Sequence, residues 1–199
     1  MAKINLFELR REMFHMLVGI LFILIAMFFP HGQLFLFLVL IFGGLISFLS
    51  TQYNIPIFTK FLCIFERECN KKFPGKGVLF FFVGSLLAFQ LFPENIALAS
   101  IIIATFSDPI SHFVGTNFGK TPGFNKRKYI EGTISGILAG TLFASFFVSP
   151  LLAFSGAFIA MFFEAIEIAM AGHNIDDNLL IPIIAGTVMY LLGLRFGLI

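Results

Sequence analysis

The chain has 199 residues, of which 58% are hydrophobic, 17% aromatic and only 12% charged, with a formal net charge of +2. Soluble globular domains carry roughly 25% charged residues, so the composition excludes a disordered chain, a coiled coil, a disulfide scaffold and almost any soluble enzyme. The small net charge gives no indication of a nucleic-acid partner. The sequence therefore predicts an all-α, polytopic integral membrane bundle that forms one domain over residues 1–199.

Seven apolar stretches follow one another along the chain, each about as long as a membrane-spanning helix. They cover residues 13–29, 33–49, 77–92, 95–118, 132–149, 151–171 and 179–197. Proline and glycine at the joints between the stretches are typical of helix ends. We therefore expect about seven transmembrane helices.

The long interval 50–76 separates the second stretch from the third. Five of its apolar side chains recur at helical spacing, namely Ile57, Phe58, Phe61, Leu62 and Phe65. This pattern predicts a connector that contains an interfacial helix lying on the membrane surface.

The basic residues indicate how the bundle is oriented. All of the 13 lysines and arginines except Arg195 lie before the first stretch, in the connector 50–76 or in the loop 119–131. An alternating seven-helix chain has these three regions on the same side. The positive-inside rule then predicts a cytoplasmic N-terminus, connector and loop, and setting the topology could be the only role of these charges.

Acidic side chains occur within or beside the later stretches. Asp108 lies in the fourth stretch, Glu164 and Glu167 lie in the sixth, and Asp177 lies at the start of the seventh. An acid at the centre of a spanning helix costs roughly 2.5–3.5 kcal/mol, so such residues usually face an interior site and serve a function. For Asp177 and its neighbour Asp176, capping of the last helix is an equally good interpretation.

The loop 119–131 supplies the opposite charge. Its basic residues are Lys120, Lys126, Arg127 and Lys128. They precede Glu131-Gly132-Thr133, which opens the next helix with free N–H groups and the positive end of the helix dipole. Together with the carboxylates, these features predict a site for a metal-bound nucleotide phosphate, with 119–131 as a cytoplasmic nucleotide-binding loop. The glycines could equally serve close helix packing.

One apparent nucleotide motif is set aside. The segment from Gly115 to Thr121 looks like a P-loop, but it has three residues between its glycines where four are required. It also ends a membrane helix instead of following a strand.

The segment 107–182 resembles the CTP-dependent polyprenol kinases, a family that includes dolichol kinase, phytol kinase and the fungal-type diacylglycerol kinase. The matching elements are Asp108, Gly115-x-x-x-Gly119-Lys120, Lys128-x-x-Glu131-Gly132-Thr133-x-x-Gly136, Glu164 and Asp177-Asn178-x-x-x-Pro182. Arg10-Arg11-x-x-x-His15 looks similar as well. Tyr129 departs from the pattern, because relatives commonly have serine there.

The resemblance implies a lipid kinase that transfers the terminal phosphate of CTP to a membrane polyprenol such as dolichol, with Mg²⁺ or another divalent cation. It implies Asp108, Glu164 and Asp177 as metal ligands or as the group that activates the lipid hydroxyl. The residues expected to bind nucleotide are Asn117, Lys120, Lys126, Lys128, Glu131, Gly132, Thr133 and Asn178. Diacylglycerol, phytol and geranylgeraniol are alternative acceptors.

Two other functions compete with the kinase. A phosphatidate-type cytidylyltransferase also uses CTP and has a similar Ser107-Asp108 element, but its His-Gly-Gly element does not occur in this sequence. A secondary transporter would also bury acids, but a transport path should line both halves of the membrane. Here the polar residues cluster on one side.

Overall fold

The computed structural model describes residues 6–53, 74–123, 128–166, 169–170, 173–174 and 176–197. Seven helices lie in these ranges. They are α1 (Leu6–Phe28), α2 (Gly32–Gln52), α3 (Lys76–Leu91), α4 (Glu94–Phe118), α5 (Ile130–Ala144), α6 (Pro150–Ile166) and α7 (Asp177–Phe196). Each corresponds to one predicted apolar stretch. The prediction of an all-α membrane bundle is therefore confirmed.

The helices differ in length. Helices α1, α2, α4 and α7 have 20 to 25 residues and are long and apolar enough to cross a membrane. Helices α3, α5 and α6 have 16, 15 and 17 residues. Each is shorter than the roughly 20 residues that a helix needs to span the hydrocarbon core. Seven crossings therefore stay a prediction.

Helix α4 lies at the centre of the bundle and contacts α1, α3, α5, α6 and α7. Its residues 96–105 are all buried, because small and branched apolar side chains on every face let neighbouring helices surround it. The hydroxyl groups of Ser100 and Thr105 donate to the carbonyls of Ala97 and Ile101, so these buried polar groups are satisfied within the helix.

Glycines allow α5 to pack directly on the backbone of α4. A Cβ atom on Gly132 would lie 2.5 Å from the carbonyl oxygen of Ser111, and one on Gly136 would lie 2.6 Å from that of Ser107. No side chain fits into such gaps. The small residues at this spacing therefore set the distance between the two helices.

Helix α1 runs antiparallel to α4. Gly19 of α1 packs against Thr105 of α4. Glu12, two turns before Gly19, contacts His112, two turns after Thr105. At the same end of the bundle, Lys76 at the start of α3 lies near Asp176, just before α7. The starts of α1, α3 and α7 thus meet the C-terminal half of α4, which is where Asp108 is located.

The structure corrects the predicted end of the sixth stretch. We expected it to run to residue 171, but α6 ends at Ile166 and is followed by a short hairpin, in which Ala169 pairs with Asn174 and Met170 with His173. The backbone groups of these residues form hydrogen bonds between two strands instead of within a helix. Hydropathy alone does not reveal this difference. The interfacial helix predicted within the connector 50–76 falls in residues 54–73, which lie outside the described residues. Glu167, Lys126 and Arg127 lie outside them as well.

Candidate active site

Three carboxylates from three helices converge at one end of the bundle. Asp108 comes from the middle of α4, Glu164 from the last turn of α6 and Asp177 from the first residue of α7. One oxygen of each lies within 4.8 Å of the other two. Glu164 is only 6% exposed, and the other two are half-buried. We call these three side chains the carboxylate triad.

Lys128 supplies a positive charge to the triad from the loop before α5. Its Nζ donates to the carbonyl oxygen of Glu164 at 2.9 Å and also bonds the Glu164 carboxylate. It lies 3.6 Å from Oδ2 of Asp177. Burial by itself would lower the pKa of Lys128, but the Glu164 and Asp177 carboxylates outweigh burial and raise the pKa above its usual value. The side chain is therefore held as a charged ammonium group.

The triad fits a divalent cation. Oε2 of Glu164 is buried and has no hydrogen-bond partner within the described residues, while Oε1 bonds Lys128. Carboxylate oxygens are the ligands that Mg²⁺ prefers, and three of them converge here. A buried, unpartnered oxygen is costly unless a ligand satisfies it.

The two neighbouring aspartates at the start of α7, Asp176 and Asp177, have different contacts. Asp176 is the N-cap residue, and its Oδ1 accepts from the backbone N–H of Asn178 at 3.2 Å and from its Nδ2 at 3.1 Å. Burial raises the pKa of Asp176, although Lys76 opposes the shift from a distance of 3.7 Å between Nζ and Oδ2. The capping interpretation therefore holds for Asp176, which leaves Asp177 in the triad.

The loop that carries Lys128 is closed by its own hydrogen bonds. The Glu131 carboxylate accepts from the backbone N–H of Thr121 at 3.0 Å and from its hydroxyl at 2.8 Å. The N–H of Gly123 donates to the carbonyl of Lys128 at 2.7 Å, and the N–H of Ile130 donates to that of Thr121 at 3.0 Å. These bonds fix the point from which Lys128 reaches the triad.

The other predicted nucleotide-binding residues that the structure describes lie around this loop, and several make local contacts. Asn117 donates to the carbonyl of Phe113 at 2.8 Å, Thr133 donates to that of Tyr129 at 3.4 Å, and Lys120 is exposed. Gly132 is buried against α4. Their roles in nucleotide binding stay predictions. Of all the predicted site residues, the structure brings together the triad and Lys128, with Asn178 adjacent in α7.

Sequence reasoning did not anticipate a second polar cluster beside the triad. Glu12 in α1 is 4% exposed, bonds Arg11 and has its Oε1 3.1 Å from Nδ1 of His112. Oε2 of Glu8 lies 3.2 Å from the Arg11 guanidinium. His112 is one turn beyond Asp108 on α4. The available signal was the spacing of Glu8 and Glu12, which puts two acids on one face of an apolar helix.

Comparison with known proteins identifies relatives among lipid kinases. The chain is 26% identical over 163 residues to the CTP-dependent diacylglycerol kinase 1 of Schizosaccharomyces pombe, covering 71% of this chain and 72% of that protein. The predicted resemblance is confirmed. The chain is also 24% identical to the enzyme of the same name from Saccharomyces cerevisiae, covering 69% of this chain and 57% of that protein.

A bacterial protein is similar over more of the chain. An uncharacterized protein of Rickettsia prowazekii is 27% identical over 188 residues, covering 89% of this chain and 90% of that protein. No family model matches the chain, and no solved structure matches it.

Proposed function

We propose that this protein is a CTP-dependent lipid kinase whose active site is the carboxylate triad together with Lys128. The observation that carries the proposal is the convergence of Asp108, Glu164 and Asp177 around one ammonium group, in a chain similar to CTP-dependent diacylglycerol kinases. Phosphoryl transfer depends mainly on positioning and on neutralising charge around the transferred phosphate. Lys128 and a divalent cation held by the acids would supply the neutralising positive charge, and the convergent side chains would position the reacting groups.

The proposed reaction joins a lipid hydroxyl to the terminal phosphorus of CTP. The hydroxyl oxygen forms a bond to phosphorus, the bond to the bridging oxygen breaks, and CDP leaves. One carboxylate of the triad accepts the hydroxyl proton, and the others orient the reacting groups. Lys128 stabilises negative charge on the phosphates. A divalent cation held by Asp108, Glu164 and Asp177 would supply further charge neutralisation when bound.

Diacylglycerol is the acceptor that the relatives favour, since the proteins from Schizosaccharomyces pombe and Saccharomyces cerevisiae both carry the name CTP-dependent diacylglycerol kinase 1. Dolichol, which we expected from the sequence, stays an alternative acceptor. Both place a hydroxyl at the level of the lipid headgroups while the hydrocarbon remains in the bilayer. The triad lies at one end of the bundle, and a site in this position suits either lipid.

The test is product analysis with purified protein in detergent or liposomes. CTP labelled at its terminal phosphate is incubated with diacylglycerol, dolichol or phytol, and ATP is run in parallel. We expect label in the extracted lipid, release of CDP and transfer to diacylglycerol above the other acceptors. Label recovered in pyrophosphate would assign the chain to cytidylyl transfer instead. If none of the lipids is modified when CTP is present, the proposal is contradicted.

A further inference from the structure

The ammonium group of Lys128 occupies carboxylate oxygens that a divalent cation would also use. Its Nζ bonds the carboxylate and the carbonyl of Glu164 and lies 3.6 Å from Oδ2 of Asp177. These two carboxylates and Asp108 form the oxygen cluster that fits a divalent cation. A cation bound there would lie beside the ammonium group, and like charges repel strongly in a poorly hydrated site.

We propose that Lys128 is an internal counter-ion that gives up its place in the triad to the divalent cation and then pairs with the nucleotide phosphates. The cation and the ammonium group require the same oxygens of Glu164 and Asp177, and a triphosphate offers the ammonium group several other negatively charged oxygens. The inference rests on the proposed nucleotide site, but not on which lipid accepts the phosphate.

The local structure permits this exchange. The backbone of Lys128 is tied to Gly123 by a hydrogen bond of 2.7 Å, so the start of the side chain is fixed. Its flexible four-carbon stem can redirect the ammonium group without rearranging the loop. The exchange also couples the two ligands. Nucleotide phosphates attract the ammonium group away from the triad, and the emptied triad then binds the cation more tightly.

The first test measures Mn²⁺ binding to the purified protein by electron paramagnetic resonance, without nucleotide or lipid. Lys128→Met removes the competing charge, so we expect Mn²⁺ to bind at least about tenfold more tightly than to the wild type. Lys120→Met is the matched control, because it removes the same charge from an exposed position in the same loop. We expect wild-type affinity for this control. Equal or weaker Mn²⁺ binding by Lys128→Met would overturn the proposal.

A second measurement uses the wild-type protein and does not depend on the folding of a variant. Lysines are acylated with and without saturating Mg²⁺, and the modified sites are quantified by mass spectrometry. We expect Mg²⁺ to increase modification of Lys128 severalfold and to leave that of Lys120 unchanged. Unchanged modification of Lys128 when the cation is bound would contradict the exchange. If both measurements succeed but no lipid is phosphorylated, the proposed function fails and the counter-ion role stands.

Discussion

Lys128 joins elements that are distant in sequence, because its ammonium group contacts the end of α6 and the start of α7 from the loop before α5. Each of these contacts is a charge-assisted interaction in a partly buried setting. Such interactions are worth about 1.5–3 kcal/mol, more than an exposed surface pair. The side chain therefore has a larger effect on the site than a lysine that only sets topology.

We predict that Lys128→Ala raises the KM for CTP by about tenfold or more, with a much smaller change in the KM for lipid. The reason is that, in the proposed mechanism, Lys128 pairs with nucleotide phosphates and does not touch the lipid. Steady-state kinetics with each substrate varied in turn measures the effect. Arg195→Ala, at the opposite end of α7, serves as the control and should leave both constants unchanged. Equal increases for CTP and lipid would assign Lys128 a general structural role.

For individual residues, the sequence predicts which side chains belong to the candidate site better than it predicts their contact partners. Asp108 and Glu164 could be identified because an acid in an apolar helix is costly. The distance of these two residues from Asp177 could not be predicted, since it depends on how α4, α6 and α7 pack. The choice between Asp176 and Asp177 as the cap of α7, and the contact between Glu12 and His112, likewise appear only in three dimensions.

The contact between α4 and α5 holds two parts of the site in register. Asp108 lies on α4, and Lys128 lies just before α5. Gly136 brings these helices together, and a Cβ atom there would lie 2.6 Å from the carbonyl of Ser107, immediately before Asp108. A side chain at this position would push α5 away from the helix that carries the triad aspartate.

We predict that Gly136→Ala destabilises the protein by about 1–3 kcal/mol, because overpacking forces the two backbones apart. The measurement is thermal or denaturant unfolding of the purified protein. Gly44→Ala is the matched control, since a Cβ atom there would meet nothing within 4 Å. Alanine favours helix by up to about 1 kcal/mol over glycine, so the control should be neutral or stabilising. Equal stability of both variants would refute close packing at Gly136.

The helices themselves were largely predictable from the sequence. Apolar runs separated by proline and glycine located the seven helices of the described residues, because burial in lipid or in protein requires the same hydrophobic residues. The end of α6 at Ile166 was not predictable, since apolar residues such as Ala169 and Met170 occupy the hairpin that follows. Hydropathy reports what is buried and does not distinguish a helix from a short strand pair.

Across the whole molecule, transfer from CTP requires the carboxylate triad and the basic loop to lie on the same side of the membrane as CTP. The contacts of Lys128 put the loop and the triad together, and the distribution of lysine and arginine predicts that this side is cytoplasmic. The opposite end of the bundle includes the joint between α5 and α6, with the exposed Ser149.

We predict opposite accessibility for cysteines placed at these two ends. Cys63 and Cys69 are first replaced by serine, and Pro122→Cys or Ser149→Cys is then introduced. A membrane-impermeant maleimide should label Ser149→Cys in intact cells and Pro122→Cys only in inverted vesicles. The expected pattern follows from the positive-inside rule. The reverse pattern would place the triad away from cytoplasmic CTP and contradict the proposed orientation.

We propose that the carboxylate triad performs phosphoryl transfer from CTP to a lipid. Transfer of terminal label from CTP to diacylglycerol is compared for wild-type protein, Asp108→Asn and Glu94→Gln. Glu94 is an exposed acid at the other end of α4, so its variant makes the same acid-to-amide change away from the triad. We predict that Asp108→Asn loses at least about a hundredfold in rate while remaining folded, and that Glu94→Gln retains the wild-type rate. A fully active Asp108→Asn protein would show that the triad does not perform the transfer.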